Sequence, residues 1–364
     1  HVHHFFLNEH KGVKLYCLPA TSFTRQDFSA IFRGLPSNEF GRDDTGKFGV
    51  TVFNIKEQGH DFTWIPTYGK ETIDDKNNQD AKVKPLFQIP NLIPSLRHDW
   101  CQSTAMPANG PMEEFTRKVT RNDYPILRLK QLGIKKVRVP LVDFLDPVCA
   151  ARIRLIDGFG IRAVVFFSGN ISQKDFNTLM NMGESIYAIE VIGLDIPVNI
   201  LKMLRDTALP VWYSKISTSA KKSDDTKPFN ISVSTGCMAD EIKEVLSNFS
   251  AISSENDLRL VVQCPWEGND TVFSVQKILK EWGYIENKGV KLAINVRLAP
   301  SNPAEENADS IAMAQTIKGV QSIAENNPEV EFILDTFEAF DRGYHPRLGL
   351  VDTRSNISDW YPHQ

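Results

Sequence analysis

Lys136-Val137-Arg138-Val139-Pro140-Leu141-Val142 is a run of β-formers. After the helix-type segment Val148–Gly158 it is answered by Arg162-Ala163-Val164-Val165-Phe166-Phe167. Both runs are nearly continuous in apolar residues rather than alternating, the pattern of parallel strands covered on both faces. The rhythm continues downstream, with strand-type runs at Tyr187–Ile192, Pro210–Ile216, Asn230–Ser234, Arg259–Gln263, Lys291–Val296 and Glu331–Leu334. Helix-type segments lie between most of them, at Gln173–Met182, Val198–Thr207, Ala239–Asn248, Thr271–Gly283 and Pro303–Asn326. Ile200, Leu201 and Leu204 share one helical face, as do Ile242, Val245, Leu246 and Phe249. Such an alternation of strands and helices predicts an α/β fold of the (β/α)₈ TIM-like barrel type. The link Ser217–Phe229 is polar and has no obvious helix. An open doubly wound sheet is the runner-up, and no glycine-rich phosphate loop follows a strand to favour it.

Upstream of the barrel the texture changes. Asp74-Asp75-Lys76-Asn77-Asn78-Gln79-Asp80 is polar without a period, and Pro85, Pro90, Pro94, Pro107 and Pro111 punctuate the next thirty or so residues. Residues 71–112 therefore read as a linker, and residues 113–364 as the barrel, with a helix at Tyr124–Leu132 before its first strand. Residues 1–70 read as short strands and turns: Val13–Leu18 and Phe48–Ile55 are rich in β-formers, and Leu35–Asn38 and Gly41–Gly46 are turn-type sequences. A helical period shows only at Gln26–Phe32.

The composition excludes several classes. The 364 residues are 41% hydrophobic and 24% charged with a formal charge of −4, and no dense Lys/Arg run supplies a nucleic-acid face. No apolar run approaches the roughly 18 residues of a membrane span. Five scattered cysteines (Cys17, Cys101, Cys149, Cys237, Cys264) form no Cys-x-x-Cys pair, so reduced thiols and a cytoplasmic location are expected. Sequons at Asn170, Asn230, Asn248, Asn269 and Asn356 weaken that expectation without reversing it. The chain opens on histidine with no initiator methionine and no signal peptide, which reads as a processed product or a fragment of something longer.

The opening residues His1-Val2-His3-His4 carry the first candidate chemistry. Alternate residues of an extended segment share a side, so His1 and His3 can offer two imidazoles to one site, whereas His4 has the wrong parity. With the run Gly12-Val13-Lys14-Leu15-Tyr16-Cys17-Leu18-Pro19-Ala20-Thr21-Ser22-Phe23, this segment resembles the final metal-binding motif of calcineurin-like metallophosphoesterases. That motif is a Gly-His-x-His turn followed by a strand and, in many members, a Pro-Ala-x-Ser segment. The resemblance implies that His1 and His3 ligate divalent metal ions of a binuclear centre that binds a phosphate ester and activates a bridging hydroxide. It covers about the first 70 residues. The family's other ligands, in motifs that precede Gly-His-x-His, do not occur in this chain. Residues 1–70 are therefore expected to be the β-rich remnant of such a domain, with phosphoesterase activity in a longer parent.

The barrel offers a second constellation. Working residues of this fold sit where strands end, and the predicted strand ends carry Arg138, Glu190, Asp195, Lys215, Gln263, Arg297, Asp335 and Glu338. The Gly349-Leu350-Val351-Asp352 close is similar to the last-strand region of many barrel glycoside hydrolases, and Leu129–Pro140 resembles their early helix-strand step. That resemblance implies a pair of glutamates at the ends of strands four and seven. The predicted fourth strand ends Tyr213-Ser214-Lys215-Ile216-Ser217 and the seventh Asn295-Val296-Arg297-Leu298, with no carboxylate in either. A miscount by one brings Glu190 to the fourth position, but no register supplies both.

Glu190 with Asp335 or Glu338 would be a non-standard catalytic pair. The competing reading is structural: Arg138 and Glu190 as a buried pair, and Trp212, Trp266 and Tyr344 as packing rather than a sugar-stacking surface. Cys264 has no histidine nearby in sequence to activate it, and there is no Gly-x-Ser-x-Gly elbow. The expectation is an accessory or carbohydrate-binding barrel, with a glycosidase-like catalyst as the alternative.

Overall fold

The computed structural model describes residues 5–19, 45–57, 59–67, 89–98, 100, 103–105, 119–169, 171–193, 200, 203–204, 207–221, 230–249, 257–285, 289–300, 310–339 and 348–358. The chain divides into two compact units. One comprises His1–Gln88, Asp99–Gly133 and Val351–Gln364, the other Ile89–His98 and Ile134–Leu350.

The second unit is the barrel. Its strands are β1 (Leu92–Pro94), β2 (Lys136–Pro140), β3 (Arg162–Ser168), β4 (Ile186–Ile192), β5 (Val211–Ser214), β6 (Leu258–Cys264), β7 (Lys291–Arg297) and β8 (Glu331–Asp335). They pair in parallel in the order β1-β8-β7-β6-β5-β4-β3-β2. A parallel bridge from Ser95 to Arg138 closes the ring between β1 and β2. Helices Pro147–Asp157, Gln173–Met180, Ile242–Phe249, Thr271–Gly283 and Ser310–Asn326 follow β2, β3, β5, β6 and β7. The first begins where the Asp146 carboxylate accepts from the amides of Val148 and Cys149, both at 2.9 Å, supplying acceptors for donors that a helix start otherwise leaves unpaired.

Inside the barrel Ile93, Val164, Ala188, Trp212, Val261, Ala293 and Ile333 form a fully buried belt, one residue from each strand but β2. Because inward positions recur every second residue, this belt fixes which side chains project inward at either end. At the amino-terminal end Glu331 accepts from Lys136 and from Tyr187, each at 2.7 Å. Burial and that carboxylate together push the Tyr187 hydroxyl well above the ordinary phenol range, and the three side chains form a hydrogen-bonded polar cluster at this end. The carboxyl-terminal end holds Arg138, Glu190, Ser214, Gln263, Asn295, Arg297 and Asp335, all buried.

Two expectations are corrected here. The stretch read as a linker contains β1, whose three residues, ending in Pro94, are too few to show a period. Asn230–Thr235, read as a barrel strand, instead pairs antiparallel with Ile216–Lys221. Its Ile231 and Val233 alternate with Ser232 and Ser234, a period-2 pattern that suits a hairpin better than a strand covered on both faces. The strand count of eight survives because one error added a strand and the other lost one. The domain boundaries move accordingly: residues 89–98 join the barrel, while helix Tyr124–Gln131 and the segment from Val351 join the other unit.

That other unit contains the hairpins Phe6–His10/Val13–Cys17 and Gly49–Ile55/His60–Pro66 and the short pair Ser103–Ala105/Val119–Arg121. Its core sets Phe5 against Phe62 and Tyr124. The buried Arg128 binds the Ser355 carbonyl at 2.8 Å and the Asn356 amide oxygen at 3.2 Å and lies 4.9 Å from the Trp64 ring. These contacts recruit the segment after Val351. Trp64 fits because residue 49 is glycine, since a Cβ there would lie 2.2 Å from the indole. Gly49→Ala should cost about 1–3 kcal/mol, read as a lower denaturation midpoint with altered near-ultraviolet dichroism. An unchanged midpoint would mean that Trp64 repacks freely. The predicted helix Gln26–Phe32 and the histidines His1, His3 and His4 lie outside the described residues.

Candidate functional site

The carboxyl-terminal end of the barrel is built around two arginine–carboxylate pairs. Arg138 on β2 holds Glu190 on β4 through two bonds, Nε to Oε2 at 2.5 Å and Nη2 to Oε1 at 3.0 Å. The planar fork matches both carboxylate oxygens. The guanidinium also donates to Ser95 Oγ and to Thr235 Oγ1, each at 3.2 Å, and stacks 4.0 Å from the Phe166 ring centroid. The Ser214 hydroxyl, at the end of β5, donates to the Glu190 carboxylate. Glu190 is thus enclosed by donors, as the Arg138–Glu190 reading of the sequence anticipated.

The second pair lies at the end of β8. Asp335 accepts from Arg297 of β7 and, at 3.3 Å, from Arg97 of the segment after β1. Burial alone would raise the Asp335 carboxyl. The guanidiniums of Arg297, Arg97 and Arg138 outweigh it and hold the group down at about 2. Arg138 therefore joins the two pairs electrostatically. The peptide after Asp335 is cis. Glu338, three residues on, is buried in the loop beyond the strand.

Between these pairs lies an amide patch. Gln263 on β6 and Asn295 on β7 are register partners, both buried. The Asn295 amide nitrogen donates to the Thr235 carbonyl at 2.8 Å and to its hydroxyl at 3.1 Å. Asn295 Oδ1 and Gln263 Oε1 have no partner among the described residues. Thr235 reaches this place because the hairpin after β5 returns against β6, where Cys237 bonds the backbone of Val261 and Gln263 at 2.9 Å. Gly236 permits that approach: its φ is 119°, and a Cβ would come within 2.7 Å of the Gln263 nitrogen.

Of the candidate residues from the sequence, Arg138, Glu190, Gln263, Arg297 and Asp335 are assembled at this end. Lys215 is excluded, since it has the opposite parity to Ser214 and pairs with Glu241 at 2.6 Å, which raises its ammonium above the ordinary range. Trp212 belongs to the interior belt and packs edge-on against Tyr187, so it presents no stacking face. Cys264 is buried, and desolvation pushes its thiol up to about 12, which removes it as a nucleophile. Asp195 and Tyr344 lie outside the described residues. No group of three or more His, Cys, Asp or Glu among the described residues could hold a metal ion, so the described residues do not form the binuclear centre that the His-x-His resemblance implies. Among them no helix is long and apolar enough to cross a membrane.

Sequence reasoning missed Ser95, Arg97, Thr235 and Asn295 as members of the site. Three of these sit on the short first strand's continuation or on the hairpin, where the strand count went wrong. Asn295 stands at a predicted strand end, but an amide carries no acid–base signal in the sequence.

The strand order and closure define the class: a TIM-like (β/α)₈ barrel with its polar cluster at the carboxyl-terminal end. No family model and no curated protein matches the sequence. Solved structures similar to it include an active-site mutant of Rhizomucor miehei β-1,3-glucanosyltransferase in complex with laminaritriose, at 11% identity over 75% of this chain and 97% of that one, TM-score 0.44. A psychrophilic glycoside hydrolase family 10 endo-β-1,4-xylanase is 11% identical over 66% of this chain and 92% of its own, TM-score 0.40. A glucosidase from Croceicoccus marinus is 12% identical over 75% of this chain and 66% of its own, TM-score 0.41.

Proposed function

We propose that the barrel binds a carbohydrate at the carboxyl-terminal end of its strands and does not cleave its glycosidic bonds. The observation that carries this reading is the patch of two adjacent buried amide oxygens without protein partners among the described residues, Asn295 Oδ1 and Gln263 Oε1, beside Thr235 and Arg297. Buried acceptors are costly unless matched by a donor, and sugar hydroxyls both donate and accept. The sequence likeness of Leu129–Pro140 and Gly349–Asp352 to barrel glycoside hydrolases supports the same substrate class.

Cleavage is the weaker reading because glycoside hydrolysis needs one carboxyl that can give up a proton. Asp335, at about 2, is ionised throughout the neutral range, and both Glu190 oxygens are engaged by Arg138. β7 supplies Asn295 and Arg297 where a second carboxylate would be needed. Calorimetric titration with β-linked gluco- and xylo-oligosaccharides should show binding that weakens at least roughly tenfold in Asn295→Ala, the scale of one lost buried hydrogen bond. A reducing-sugar assay should show no turnover. Hydrolysis that disappears in Glu190→Gln would replace binding by catalysis, and the absence of saccharide binding would remove the reading.

For the amino-terminal segment we propose, on its motif, that His1 and His3 are divalent-metal ligands of a phosphate-ester hydrolase completed by residues beyond these 364. The strand Phe6–His10 directly after them suits the motif. A chain extended upstream that binds no divalent metal would end this reading.

A further inference from the structure

Residues 95–98, directly after β1, each but Leu96 send a polar side chain to a different element. Ser95 meets Arg138, Arg97 meets Asp335, and His98 Nδ1 lies 2.7 Å from Asp143 Oδ1. Asp143 follows the end of β2, so this last contact sits at the same carboxyl-terminal end as the carbohydrate patch but uses none of its residues. Its burial is asymmetric: the His98 ring is 59% exposed, whereas the Asp143 carboxylate is fully buried. A ring this exposed adds little to the core, and the consequence of the contact falls on its chemistry. A carboxylate on Nδ1 selects the tautomer with the proton there and leaves the Nε2 lone pair facing out.

We propose that His98 is a general base for hydrolysis of O-acyl esters on the bound saccharide, with Asp143 as its positioning residue. The substrate class rests on the carbohydrate reading above; the base itself does not. Imidazole suits this reaction because ester cleavage needs one base that accepts and then returns a proton, whereas the barrel's paired carboxylates are committed to arginines. In the first step Nε2 takes a proton from water as the water oxygen bonds to the acyl carbon, and the carbonyl π electrons move to its oxygen. In the second step that tetrahedral adduct re-forms the carbonyl and breaks the bond to the sugar oxygen, which receives the proton from the His98 imidazolium. The products are a carboxylic acid and a free sugar hydroxyl, and no oxidant, reductant or further reactant is consumed.

The test uses the full chain with two probes, 4-nitrophenyl acetate and acetylated xylo-oligosaccharides. Both should be hydrolysed faster than in buffer, and His98→Ala should lower each rate by about 100-fold or more. His98→Ala takes one partner from the buried Asp143 carboxylate, so its folding is checked by circular dichroism, and added imidazole should restore part of the lost rate on the acetylated xylo-oligosaccharides above an imidazole-only blank. Asp143→Asn should lower kcat with little change in KM, which a merely structural role would not produce. Wild-type rates equal to those of His98→Ala on both probes would overturn the proposal. His98-dependent cleavage of the aryl ester alone, with no saccharide bound by calorimetry, would support the base while removing the carbohydrate reading.

Discussion

Glu190→Leu should lower the stability of the barrel by about 3–5 kcal/mol, the cost of leaving a buried guanidinium without its counter-charge. Arg138 is almost wholly buried, and among the described residues its remaining acceptors are two neutral hydroxyls, Ser95 and Thr235, each at 3.2 Å. Neither replaces a carboxylate that accepted two bonds. Glu190→Gln retains the shape and one acceptor oxygen and should cost less, about 1–3 kcal/mol. The double variant Arg138→Met/Glu190→Leu should recover most of the loss, because removing both charges also removes both desolvation penalties. Hydrogen exchange of β4 and its neighbours provides the measurement, since a denaturation curve of a chain with two units need not be two-state. A single Glu190→Leu variant within about 1 kcal/mol of the parent, well short of the cost of an uncompensated buried charge, would show that water reaches Arg138, and the description of Glu190 as enclosed would fall. The double-mutant cycle also separates structure from catalysis: a residue kept for proton transfer would lose turnover on amidation while stability barely moved.

The barrel was legible because its central strands are buried on both faces. β3, β4, β6 and β7 appear in the sequence as near-continuous apolar runs within a residue or so of their observed limits. β1 was not legible: three residues ending in proline hold no period, and only the closure of the ring reveals them as a strand. The hairpin Ile216–Thr235 failed for the opposite reason, since its β-formers advertise a strand without saying which sheet it joins. Both failures propagate to the site. Counting from the observed first strand, Glu190 is on strand four, and Thr235 is a hairpin residue that bridges Arg138 and Asn295 rather than the end of a barrel strand. The Arg138–Glu190 pair could be anticipated because both residues interrupt apolar runs near strand ends. The His98–Asp143 contact could not. Forty-five residues separate its members, and His98 stands in a stretch with no recognisable element on either side.

Acidification should weaken the barrel through Asp335, and the sign follows from the direction of its shift. The folded-state carboxyl is depressed, at about 2 against 3.8 unperturbed, because burial is outweighed by Arg297, Arg97 and Arg138. A group depressed on folding stabilises the native state above its unfolded value and gives up that stability as pH falls through the folded one. The contribution, about 2 kcal/mol from the size of the shift, should be complete above roughly pH 5 and lost progressively toward pH 2. Asp335→Asn removes the titration. At neutral pH it should be destabilised by at least that amount, because Arg297 is buried and keeps only a neutral acceptor. The gap between parent and variant should then close as pH falls from about 5 to 2, since protonating Asp335 in the parent removes the same charge. Denaturant midpoints across that range, read by hydrogen exchange of β7 and β8, give the comparison. A gap that stayed constant with pH would place the cost of the substitution in packing, and Asp335 would no longer be the charge that holds Arg97 and Arg297 at the end of the barrel. A closing gap keeps it there, and with it the reason this carboxylate cannot serve as the proton donor of a glycosidase near neutrality.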